Sequence, residues 1–136
     1  MELTGGCLCG ATRYVLTGAP FSLGDCHCVD CRRSAGASVV TWGSVQRRDL
    51  RMIKGEARKI QHAGRIRSFA PCCGTPLFFE ATNDSEIIDV TMASLDDPAP
   101  FAPEKAIWLE DKLPWVALDK SLPSFSKTPK TSPREK

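Results

Sequence analysis

Three cysteines in the run Cys26-His27-Cys28-Val29-Asp30-Cys31 are spaced so that their thiolates can converge on one soft cation. The pairs Cys7-Leu8-Cys9 and Cys72-Cys73 bring the total to seven. Zn²⁺, with its tetrahedral sulfur preference, is the usual cellular occupant of such groups. If one zinc takes four sulfurs, three remain, and three protein ligands with an open position is the pattern of a zinc that can bind something else. The count predicts one closed metal site and one reactive one. Three thiolates on Zn²⁺ leave a formal charge of −1, which blunts its Lewis acidity and disfavours a hydrolytic water. Such a centre suits a fourth ligand that is itself a thiol, held as a nucleophile. The competing reading of Cys26, Cys28 and Cys31 is a second structural staple.

Composition narrows the alternatives. A chain of 136 residues is long enough for one domain with a core and short for two. Seven cysteines also fit a secreted disulfide scaffold, but Met1-Glu2-Leu3-Thr4-Gly5-Gly6 lacks the regions of a signal peptide. Metal-bound thiols in a reducing cytoplasm are therefore expected. No stretch approaches the roughly 18 apolar residues needed to cross a bilayer. The net charge is +2, and part of the excess is the terminal Lys127, Lys130, Arg134 and Lys136 against Glu135. Nucleic acid is an unlikely partner, because the densest internal basic run, Gln46-Arg47-Arg48-Asp49-Leu50-Arg51, carries no interleaved aromatics.

The elements that must position the cysteines read as β. Short alternating or β-branched runs punctuated by glycine and proline recur, and helical periodicity is nearly absent. Strands are expected over residues 12–16, 38–42, 50–54, 58–61, 65–69, 76–81 and 86–92. Gly55-Glu56 reads as a hairpin turn between the third and fourth of these, and residues 82–85 read as a polar turn. One short helix begins within Val29-Asp30-Cys31-Arg32-Arg33-Ser34-Ala35 and stops at Gly36. Gly10 and Gly74 follow ligand cysteines, where a backbone curl aims amides at the sulfurs. Residues 1–125 are expected to form a single domain, and the Ser-, Pro- and Lys-rich residues 126–136 a disordered basic tail.

These motifs together resemble the glutathione-dependent formaldehyde-activating enzyme family, which also includes centromere protein V. Gly6-Cys7-Leu8-Cys9-Gly10 is similar to its opening motif, and Cys26-His27-Cys28-Val29-Asp30-Cys31-Arg32-Arg33 with Gly36 to its central one. Arg67-Ser68-Phe69 leading to Cys73-Gly74-Thr75, then Ser94-Leu95-Asp96-Asp97-Pro98, and Pro114-Trp115 before Leu122-Pro123 fall in the family's order. The resemblance implies an all-β fold of several coiled antiparallel sheets around a structural zinc, and a second, catalytic zinc on Cys26, Cys28 and Cys31. It also implies carbon–sulfur lyase chemistry, nominally the condensation of formaldehyde with glutathione to S-(hydroxymethyl)glutathione. One departure stands out: the family closes its structural site with C-x-x-C, but position 70 is Ala70 and the extra thiol is Cys72. Either a turn brings Cys72 beside Cys7, Cys9 and Cys73, or the fourth ligand is water or a distant side chain.

For Cys7, Cys9 and Cys73 the competing reading is buried thiols or a disulfide, which knuckle spacing with following glycines disfavours. Arg32 and Arg33 directly follow Cys31, and one of them is placed to grip a carboxylate of glutathione. Trp42, on the strand leaving the central knuckle, is the best aromatic candidate for a binding floor. Trp108 and Trp115 read as packing residues. His27 is expected to face solvent or sit behind the metal ligands, His62 to be structural or exposed, and Asp96-Asp97 to form a turn. The alternative function is a non-catalytic zinc module that binds protein or nucleic acid.

Overall fold

The computed structural model describes residues 1–82 and 86–129. In chain order its elements are β1 (Leu3–Gly6), β2 (Arg13–Leu16), β3 (Phe21–Cys26), α1 (Val29–Ala35), β4 (Val40–Gln46), β5 (Leu50–Lys54), β6 (Arg58–His62), β7 (Arg65–Phe69), β8 (Pro76–Ala81), β9 (Ile87–Thr91) and β10 (Ala106–Ile107). Among the described residues these form two sheets, a three-stranded β1-β2-β5 and a seven-stranded β10-β3-β4-β9-β8-β7-β6. The expected all-β class holds, with one α-helix. Pairing is antiparallel except at β10, which lies parallel to Asp25–Cys26 of β3.

Side-chain alternation on β8 explains why there are two apolar clusters. Phe78 and Phe79 are neighbours on a strand buried on both faces, so they point to opposite sides. Phe78 meets Tyr14 edge-on, with ring centroids 5.3 Å apart, in a core that includes Leu16, Met92 and Val90. Phe79 faces Trp42 at 5.9 Å in a second cluster with Cys26, Cys31, Val40 and Ile107. The central cysteines are thus fixed in a packed apolar layer, where each fully buried large side chain contributes about 1.5–3 kcal/mol.

The Gly55 turn does not make the expected hairpin. β5 pairs with β2, whereas β6 pairs with β7 in the other sheet. Gly55 is required for close approach: a Cβ there would lie 2.3 Å from the Ala11 carbonyl oxygen. The expected polar turn at 82–85 lies outside the described residues except for Thr82. Asp96, read as a turn residue, accepts from the Thr4 hydroxyl at 2.6 Å and pairs with the Arg13 guanidinium. Arg13 first, then Thr4, holds its carboxyl down at about 2. The tail is described as far as residue 129, with the Ser126 and Lys127 carbonyls accepting from the Glu110 and Trp108 amides. Residues 130–136 lie outside the described part.

Candidate metal centres

The first knuckle is a turn between β1 and β2, closed by Cys7 N–H to the Thr12 carbonyl at 3.0 Å and Gly10 N–H to the Cys7 carbonyl at 3.2 Å. The third cluster is a second turn, in which Gly74 N–H reaches the Ala70 carbonyl at 2.7 Å and Ala70 N–H the Thr75 carbonyl at 2.9 Å. Gly10 and Gly74 have φ of +82° and +84°, a curl that side chains with a Cβ rarely adopt. Leu8 N–H donates to the Thr75 hydroxyl and ties the turns together.

The second turn brings both adjacent thiols to one side. Cys72 Sγ lies 3.6 Å from Cys7 Sγ and 3.9 Å from Cys73 Sγ, and Cys7 and Cys9 are 3.7 Å apart. All four sulfurs lie within 4.8 Å of one another. A tetrahedral zinc with Zn–S bonds of about 2.3 Å spaces its sulfurs about 3.8 Å apart. The geometry fits four thiolates on one zinc, and it is far from the ~2.05 Å of a disulfide. Ala70, where the family motif expects a cysteine, is fully buried in the larger core cluster.

Hydrogen bonds from the Thr75 hydroxyl, then the Cys9 and Thr75 amides, hold the Cys73 thiol down at about 5. At Cys9 the Ala11 amide pulls the other way, but Cys72, burial and Cys7 together push the thiol up to about 11. In the metal-free protein iodoacetamide at pH 6 should therefore label Cys73 well before Cys9, and Cys73 labelling should fade below about pH 5 as its thiolate is protonated. Peptide mapping by mass spectrometry reads both sites, and zinc should protect both.

The second centre is built where β3 runs into α1. Cys26 ends the strand, Cys28 is the N-cap of α1 with its Sγ accepting from Cys31 N–H at 3.3 Å, and Cys31 lies in the first turn. The three sulfurs lie within 4.8 Å of one another; Cys26 and Cys31 are buried and Cys28 is half-buried. They are in the wall of a cavity of about 370 Å³. Across it stands Arg67, whose guanidinium is 3.8 Å from Cys31 Sγ, 3.2 Å from the Ser34 hydroxyl and 4.8 Å above the Phe79 ring. Arg65, Trp108, Asp30 and Asp111 also line this cavity. Trp108 is held at φ 59°, in the left-handed region unusual for a bulky residue.

The structure separates the other expected site residues from this cavity. Arg32 and Arg33 do not line it: Cys31 faces the core, and successive helical residues step about 100° around the axis. Trp42 lines a neighbouring cavity instead. His27 is buried and not solvent-facing; both its ring nitrogens lack a hydrogen-bond partner among the described residues, and it is outside the three-sulfur group. Sequence reasoning missed Arg65 and Arg67 as site residues, although their i, i+2 spacing on β7 places them on one strand face.

A two-sheet β scaffold carries one four-sulfur and one three-sulfur group, each compact enough to hold a metal ion. The chain belongs to the glutathione-dependent formaldehyde-activating enzyme family, whose model matches residues 2–111. It is also similar in fold to a Rhodobacter sphaeroides protein of known crystal structure, at 23% identity and a TM-score of 0.57, over 71% of this chain and 93% of that one. No curated protein matches the sequence. Among the described residues no helix is long and apolar enough to cross a membrane.

Proposed function

We propose that the protein is a zinc-dependent carbon–sulfur lyase acting on the adduct of glutathione and an aldehyde, nominally S-(hydroxymethyl)glutathione, in the reducing cytoplasm. The observation that carries this reading is the three-sulfur group of Cys26, Cys28 and Cys31, one ligand short of a closed site and facing a cavity with two arginines. Cys26, Cys28 and Cys31 would hold the zinc, which would supply a fourth position for an incoming thiol and favour its thiolate form. Cys7, Cys9, Cys72 and Cys73 hold the structural ion.

The cavity side chains match the rest of glutathione. Its two carboxylates find Arg65 and Arg67, set about 7 Å apart along one strand. Its ammonium finds Asp30 and Asp111. The Arg67 guanidinium beside Cys31 Sγ also offsets the negative charge of the thiolate group, so an anionic thiol meets less repulsion. In the forward direction the glutathione sulfur bonds to the carbonyl carbon. The carbonyl π pair moves to oxygen, which takes up the proton given up by the thiol.

Cobalt substitution tests this. Glutathione should intensify the near-ultraviolet sulfur-to-cobalt bands as an added thiolate enters. Arg65→Ala and Arg67→Ala should each weaken glutathione by about tenfold, as loss of a charge-assisted hydrogen bond predicts, and leave 2-mercaptoethanol less affected. Only Arg67→Ala should also shift the cobalt bands before thiol is added, because it alone removes a donor to Cys31 Sγ. Arg32→Ala and Arg33→Ala should leave glutathione binding unchanged. A cobalt spectrum indifferent to saturating glutathione, with no acceleration of thiol–aldehyde exchange, would return the domain to the interaction-module reading.

A further inference from the structure

Arg67 is in the wall of a second cavity, of about 380 Å³, bounded by Ala35, Val40, Trp42, Ile60, Phe69 and Phe78. Ser34, which accepts from Arg67, and Ala35 lie on the helix that carries Cys31. Arg67 thus borders both cavities, with its guanidinium 3.8 Å from Cys31 Sγ. Protein interiors are close-packed, and an apolar space of this size is in the range of small-molecule sites. A one-carbon aldehyde is little larger than a water molecule, whose share of volume is about 30 Å³. Formaldehyde makes no use of such a space. Trp42 is 4% exposed, and its indole N–H has no hydrogen-bond partner among the described residues. With Phe69, Trp42 gives the cavity aromatic wall residues, against which a flat aromatic ring can pack.

We propose that this cavity is a second binding site, for the aromatic side chain of a carbonyl compound larger than formaldehyde. The adduct formed beside Cys26, Cys28 and Cys31 then carries an aryl group lodged against Trp42. For its chemistry the proposal rests on the lyase reading; for binding it does not. The bond changes are those of the smaller aldehyde: the thiol sulfur bonds to the carbonyl carbon, the π pair moves to oxygen, and the thiol proton ends there. Nothing is oxidised. The apolar walls select for the ring by excluding water, and Arg67 stands where the carbonyl end leaves the apolar cavity for the polar one.

Ile60 is 53% exposed, so Ile60→Phe narrows the cavity without disturbing the core; Ala35→Leu fills it from the helix. The unreactive probe is benzyl alcohol, titrated into zinc-loaded protein while the Trp42 indole N–H is followed by NMR. It should shift that resonance, and each filling variant should weaken binding about tenfold, the worth of a methylene or two in an apolar pocket. Exchange of glutathione with benzaldehyde should slow by a similar factor in both variants, with formaldehyde exchange unchanged. An indole resonance that benzyl alcohol leaves unmoved overturns the proposal, as do variants that slow both aldehydes equally. If benzyl alcohol binds at Trp42 but no aldehyde is turned over, the lyase reading fails and the pocket stands. If formaldehyde is turned over without benzyl alcohol binding, the reverse holds.

Discussion

Replacing Cys72 by serine should cost the protein one of two zinc ions and lower its melting temperature by more than about 10 °C. The basis is the sulfur geometry, in which Cys72 stands 3.6 Å from Cys7 and completes a four-thiolate set. Structural zinc supplies on the order of 10 kcal/mol to small domains, and loss of one ligand forfeits several of these. At this chain length each kcal/mol moves the midpoint by roughly 3–5 °C. Cys73→Ser should behave alike. Elemental analysis with a thermal melt reads both, and an unchanged zinc content in Cys72→Ser would make Cys72 a bystander and leave three cysteine ligands.

Cys28→Ser should do the opposite: leave the fold nearly intact and take catalysis to the uncatalysed rate. Serine keeps the N-cap acceptor that Cys28 Sγ provides to Cys31 N–H, whereas alanine would cost about 1 kcal/mol more. Hydroxyl is a poor replacement for a zinc thiolate. The stability cost is small because Cys26, Cys28 and Cys31 span one short local segment, and closing a short loop saves little chain entropy compared with the clip between Cys9 and Cys72. The measurements are the cobalt response to glutathione and the rate of thiol–aldehyde exchange by NMR. A Cys28→Ser protein that retains both would show that the three-sulfur group is no reaction centre.

The parts of the fold legible in the sequence are those whose signal is local. Val29–Ala35 with Gly36 after it carries its own cap and stop, and Ile87–Thr91 its own β-branched run, so both were readable. Leu3–Gly6 and Ala106–Ile107 were not: the first is half glycine and the second only two residues long. Both exist because a partner strand supplies their hydrogen bonds. The Gly55 misreading has the same origin, since turn chemistry says that the chain bends but not which strand it then meets. At the site, cysteine spacing revealed the two groups because ligands to one ion must converge. Arg32 and Arg33 do not line the cavity of Cys31 because adjacency in sequence is not adjacency in space: the strand β7, more than thirty residues on, places Arg67 there. Trp108 and Asp111 carry no local mark at all.

The four-sulfur group joins a turn of the three-stranded sheet to a turn of the seven-stranded one. This sets an order of events during synthesis. Cys7 and Cys9 leave the ribosome more than sixty residues ahead of Cys72 and Cys73, and no zinc can be fully enclosed until the later pair emerges. The central knuckle is complete far sooner and competes for the same ion while the other waits. Refolding with a single equivalent of zinc present from the start should then be slower than refolding with that equivalent added after collapse, because an ion first taken by three local thiolates must move to the four-sulfur group. The metal that stabilises the finished fold is, for the growing chain, a source of delay.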